Sequence, residues 1–268
     1  MKSISWSNQE KIIIIALVVM SVVAWIFTVY HSQSMGSEMS MINQPLIPGA
    51  ILFLIIWTVM MIAMMFPAVV PMAVIFSNVQ DKRKSRDQSF IPTWVFISGY
   101  LLVWALFGVL AYFGDLLVGH LAVRFPKLQE YGSVIGGSAL IVVGLYQLTP
   151  LKNVCLTHCR SPLHFIMHRW REGYLGSLTM GIDHGAYCLG CCWGLMLVLF
   201  VVGVMNLAWM GILTLIIFVE KISKHGVVIS KVVGGLLILL GIAMATQPGV
   251  PLLSVILSPL VVQLTTDH

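Results

Sequence analysis

The sequence predicts an all-α, polytopic membrane protein of about seven transmembrane helices, and three observations predict it. Hydrophobic residues make up 59% of the 268, and charged residues only 9%, whereas soluble domains are about a quarter charged. Apolar runs approaching the ~20 residues of a spanning helix recur along the whole chain, so residues 1–268 read as a single transmembrane domain with no soluble one. Lys and Arg are concentrated in alternate connecting segments. The net charge of +5 therefore reads as loop charge beside a lipid bilayer and not as a nucleic-acid surface.

Residues 1–30 hold the first helix, whose apolar run, 12–30, follows Lys2 and Lys11. No small-residue cleavage site clearly follows it, and the run is long for a signal peptide, so the helix is expected to be retained. Residues 49–148 hold helices two to four, at about 49–76, 93–114 and 132–148. Residues 149–184 read as a cytoplasmic loop rich in Cys and His. Residues 185–246 hold helices five to seven, at about 185–204, 207–219 and 232–246. The tail, 247–268, is apolar from Val250 to Leu264 but contains Pro248, Pro251 and Pro259, which suits an interfacial segment or a broken eighth span.

Charge orients these spans. Lys82, Arg83, Lys84 and Arg86 follow span two, Lys152, Arg160, Arg169 and Arg171 follow span four, and Lys221, Lys224 and Lys231 follow span six. Seven spans place 13 of the 15 Lys and Arg on one side. That bias puts the N-terminus in the cytoplasm and the C-terminus outside, in a plasma (inner) membrane. Gly136, Gly137 and Gly144 of span four and Gly234, Gly235 and Gly241 of span seven mark expected helix contacts, because small residues let backbones approach in lipid.

All five cysteines fall between Cys155 and Cys192. Cys155 and Cys159, four apart, share a helix face, with His158 beside them. Cys188 and Cys191 form a CxxC pair that continues into Cys192, and Asp183 and His184 stand just upstream. A reducing cytoplasmic face argues against disulfides. Thiolates there are soft ligands suited to copper(I) or zinc, and two cysteine pairs are enough for four tetrahedral ligands. Cysteine is also a small buried hydrophobe, so inert packing is the competing reading. Asp183 caps the fifth helix if that helix starts at Gly185. If it starts earlier, Asp183 and His184 are buried and need partners.

A second set is made of thioethers. Met60 and Met64 share one face of span two and Met61 and Met65 share another, ahead of Pro67 and Pro71. His31, Met35, Met39 and Met41 lie in the preceding outer segment. Thioethers outside, thioethers in mid-membrane and thiols inside would suit inward passage of copper(I). Methionine packing alone also accounts for the pairs. The chain has no Walker loop, GxGxxG, HExxH or GxSxG. No catalytic residues stand out, and an enzymatic role is the weaker expectation.

These segments resemble a bacterial and archaeal family of uncharacterised, predicted metal-binding integral membrane proteins, the domain of unknown function numbered 2182. The resemblance runs from span two onward. It rests on WTVMMIAMMFPAVVPM from Trp57, YQLTPLKNVCLTHCRSP from Tyr146, GIDHGAYCLGCCWGLM from Gly181, GVMNLAWM from Gly203, and the pair Glu220–Lys221. It implies metal binding through the same Cys and His residues. The leading expectation is a membrane protein that transports or delivers copper, or alternatively zinc. Cys155, Cys159, Cys188, Cys191, Cys192, His158, His184, Asp183, Met60, Met61, Met64 and Met65 are the candidate ligands. A membrane subunit or assembly factor of a metal-dependent oxidase, with a membrane partner or a second copy of the chain, is one alternative. A membrane thiol enzyme is another.

Overall fold

The computed structural model describes residues 8–34, 46–87, 89–125, 131–202 and 206–246. Among the described residues there are nine helices and no strand: α1 (Asn8–Ser34), α2 (Leu46–Lys84), α3 (Thr93–Arg124), α4 (Gly132–Leu148), α5 (Pro150–Arg160), α6 (Pro162–Arg169), α7 (Gly173–Val202), α8 (Leu207–Ile222) and α9 (Gly226–Thr246). The all-α, polytopic expectation holds. The tail from 247 and the outer Met35, Met39 and Met41 lie outside the described residues.

Five helices, α1, α2, α3, α7 and α9, are each long and apolar enough to cross a membrane. A sixth span results if α4 and α5, bent by 63° at their junction, count as one broken span. On its own α4 has 17 residues, and α8 has 16. These are the two weakest elements of the seven-span reading. At about 1.5 Å per residue, the 39 residues of α2 far exceed a hydrocarbon core of ~30 Å. The helix therefore carries its basic end, Lys82 to Lys84, beyond the apolar layer.

The structure redraws the segment 149–184. It is not an open loop but two short helices, α5 and α6, followed by the first turns of α7, which begins at Gly173. Pro150 and Pro162 each open a short helix, where proline's missing N–H costs nothing. Gly173 has φ of +81°, in the left-handed region that glycine adopts without strain. The sequence GYLGSLTMGI then continues the helix through Asp183. Asp183 and His184 thus lie in mid-helix, and the capping role is excluded.

Helix α2 packs against α1, α3, α6 and α8. Pro67 has no N–H to give the carbonyl of Ala63. The Ser21 hydroxyl of α1 donates to that carbonyl at 2.8 Å, so a freed backbone group inside the apolar layer is satisfied from the neighbouring helix. The Trp57 indole donates to the Trp104 carbonyl of α3 at 3.1 Å. Its ring lies where a side chain at Gly108 would stand.

Helices α4 and α9 cross in backbone contact at the expected glycines. A Cβ on Gly137 would lie 2.5 Å from the Gly241 carbonyl oxygen, and one on Gly144 would lie 2.7 Å from that of Gly234. Gly235 faces open space. Gly137→Val is therefore expected to destabilise the protein by about 1–3 kcal/mol, as overpacking does. Gly235→Ala is expected to be neutral within about 0.5 kcal/mol. Thermal unfolding in detergent compares the two. The α3–α7 crossing uses the same device: a Cβ on Gly99 would strike the Leu178 carbonyl, and one on Gly181 that of Phe96. This close crossing holds the cysteine-bearing stretch of α7 against the aromatic face of α3.

Candidate metal centre

Cys188, Cys191 and Cys192 follow the α3–α7 crossing by two to three turns and are at most 1% exposed. The structure brings a fourth thiol to them from α5. Cys159 Sγ lies 3.8 Å from Cys191 Sγ, and Cys191 Sγ lies 3.2 Å from Cys192 Sγ. The Cys191 thiol also donates to the Cys188 carbonyl oxygen at 3.1 Å. Two sulfurs on bonds of ~2.3 Å at the tetrahedral angle stand about 3.8 Å apart, so Cys159 and Cys191 already have the spacing of ligands to one ion. Cys191 and Cys192 would have to open slightly. Among the described residues, no group of three or more His, Cys, Asp or Glu is arranged so that it could hold a metal ion as it stands. The cluster is a set of converged thiols rather than a rigid cage.

Two further side chains complete the cluster. The Lys221 ammonium donates to Cys188 Sγ at 2.9 Å, and the Tyr100 hydroxyl lies 3.1 Å from the same sulfur. Lys221 is on α8, next to Glu220, but the Glu220 carboxylate is taken by Lys152 at 2.8 Å. That pair is 0% and 1% exposed. A buried charge needs an opposite one. With Glu220 committed to Lys152, the positive charge of Lys221 faces sulfur. Two thiolates around a monovalent cation carry one net negative charge, which Lys221 offsets. Four thiolates around a divalent ion carry two, which it does not.

The remaining candidates divide. His184 is one turn before Cys188 on α7, 3% exposed, and boxed by the rings of Phe96, Tyr100 and Phe165. Its Nδ1 has no hydrogen-bond partner, an orphaned acceptor or donor beside the thiols. Asp183 turns away from the thiols toward Arg169 and Arg171, at 3.7 and 3.6 Å. His158 stacks on Tyr187 with ring centroids 4.6 Å apart, and its Nδ1 is 2.9 Å from the Val154 carbonyl oxygen. Cys155 packs its sulfur over Gly190, apart from the contacts of the other four thiols.

Met60, Met61, Met64 and Met65 are all at most 2% exposed. Met60, Met64, Ala68 and Met72 follow at intervals of four along α2, on one slowly turning face. The end of that row, Ala68 and Met72, lines a cavity of about 240 Å³ together with Cys159 and Lys221. One thioether of that face, Met72, and one thiol of the cluster, Cys159, thus share the cavity. Tyr100, Lys152 and Lys221 escaped the sequence reading. The charged pair Glu220–Lys221, at the end of an otherwise apolar run, was the signal for Lys221 and its neighbourhood, because buried charge in a span demands a partner. Nothing in the sequence singles out Tyr100.

A family model described as PpoB2, copper chaperone, matches residues 53–244. No curated protein and no solved structure matches the chain.

Proposed function

From its membership of the PpoB2 copper chaperone family, to which the chain belongs on that match, we propose that this protein carries copper(I) through the membrane and hands it on. Met60, Met61, Met64 and Met65 are the intramembrane waypoints. Cys159, Cys188, Cys191 and Cys192 are the holding site, with His184 as an accessory ligand. The observation that carries this reading is that Met72, further along the α2 face that bears Met60 and Met64, lines one cavity with Cys159. Thioethers favour copper(I) over zinc, and the single ammonium of Lys221 on the sulfurs balances a monovalent ion held by two thiolates. A chaperone description favours handover to a copper-dependent protein over release to solvent, so an oxidase awaiting its copper is a fitting recipient. The proposed topology is seven spans with the N-terminus in the cytoplasm, as the Lys and Arg bias predicts.

The test is copper movement. The protein is reconstituted into vesicles that enclose a copper(I) chelator, and labelled copper(I) is supplied outside. Chelator-bound label is expected to build up well above protein-free vesicles. Copper that binds to the protein but never reaches the chelator would overturn passage and leave a storage or sensing role.

A further inference from the structure

The cavity beside the thiols has a chemistry of its own. Its walls include Pro71 and Ile222 as apolar surface, Met72 and Cys159 as soft ligands, and Arg160 and Lys221 as cations. Among the described residues, no carboxylate lines it. Arg160 is fixed there, since its guanidinium donates to the Ser223 carbonyl at the end of α8. Cys159 is half-buried, whereas Cys188, Cys191 and Cys192 are closed off at 0–1% exposure. Cys159 is therefore the thiol of the cluster that a ligand in the cavity meets first, and Cys191 lies 3.8 Å behind it. At about 240 Å³, the cavity is smaller than the roughly 300–1,000 Å³ of sites for drug-sized ligands.

We infer that this cavity is a ligand-exchange port, in which Cys159 exchanges copper(I) with an anionic copper(I) complex of a small thiol. The inference rests on the copper reading above and names the form in which the cargo arrives or leaves. Free copper(I) would gain nothing from two cations at the port, because like charges repel. A complex of two carrier thiolates on copper(I) is negative even before any carboxylate on the carrier is counted. Arg160 and Lys221 attract it, and the apolar wall accommodates its carbon chain. In the exchange the Cys159 sulfur bonds to copper and one carrier sulfur leaves. The proton of the Cys159 thiol passes to that departing thiolate. One copper–sulfur bond forms and one breaks, copper stays monovalent, and the net charge of reactants and products is equal. A second such step onto Cys191 frees the other carrier thiol.

The test uses two copper(I) donors of similar size and opposite side-chain charge, the complexes of 3-mercaptopropionate and of cysteamine. Transfer rates to the full-length protein in detergent are divided by those to an uncharged soluble dithiol, which removes intrinsic differences between the donors. The native protein is expected to favour the mercaptopropionate complex by about tenfold, the low end of electrostatic steering. The preference should shrink as salt shortens the screening length below ~10 Å. Arg160→Gln should lower it several-fold, Lys221 remaining, with unchanged copper capacity, and Arg160→Lys should retain it. Equal rates from both donors in the native protein, or a preference untouched by Arg160→Gln, overturns the port. Failure to take copper from either donor, or from a copper(I) acetonitrile salt, overturns the copper reading and the port with it.

Discussion

Lys152→Met is expected to destabilise the protein by about 3–5 kcal/mol, the usual loss when one member of a buried ion pair is removed. Lys152 and Glu220 are 0% and 1% exposed and 2.8 Å apart, and Glu220 Oε1 has no hydrogen-bond partner even with Lys152 in place. Without the ammonium, a carboxylate is left inside an apolar bundle. The double variant Lys152→Met/Glu220→Leu removes both charges and should recover most of the loss, because apolar replacement of a whole buried pair is often neutral. Unfolding midpoints in detergent for the two single variants and the double complete the cycle. Losses that simply add would show that the two residues do not act as a pair. The pair has a functional side as well. Glu220 is engaged by Lys152, while the neighbouring Lys221 ammonium donates to Cys188.

The second large effect concerns passage. Met60→Leu/Met64→Leu conserves volume at two fully packed sites, so a stability cost below about 1.5 kcal/mol per site is expected. Leucine has no sulfur. Vesicle uptake of copper(I) should fall at least about tenfold, equivalent to roughly 1.4 kcal/mol on the barrier, while the copper retained on the thiols is unchanged. Met61→Leu/Met65→Leu, on the other face of α2, separates a row from a diffuse effect. Uptake equal to native in both double variants would reduce the methionines to packing.

The architecture was legible because lipid imposes a few strong rules. Long apolar runs, alternating basic segments and paired glycines each have one physical meaning there, and α1, α2, α3, α7 and α9 follow from them. The contact of Gly137 and Gly144 with Gly241 and Gly234 was readable for the same reason. What misled was local polarity. Asp183 and His184 look like the polar edge of a span, yet they lie within α7, because Asp183 finds Arg169 and Arg171 and His184 finds an aromatic box. Those partners are distant in sequence or sit on elements whose fold was unknown. The site was half legible. Clustering of soft ligands was visible, but not which thiols meet. Cys159 joins Cys188, Cys191 and Cys192, whereas Cys155, one turn earlier on α5, does not. The two share a face of α5, so height along the helix decides that, and it required the course of α5 from Pro150.

Passage and handover both require that the converged thiols hold copper. The direct measurement is metal content, by elemental mass spectrometry, of the protein purified in mild detergent under reducing conditions after loading with copper(I) or zinc. It is compared with a Cys188→Ser/Cys191→Ser/Cys192→Ser variant of native helicity and thermal stability. Near-integral copper in the native protein, little zinc, and loss of the copper in the variant are expected. A native protein that binds neither metal, or a variant that keeps its full copper, would contradict copper binding by these thiols.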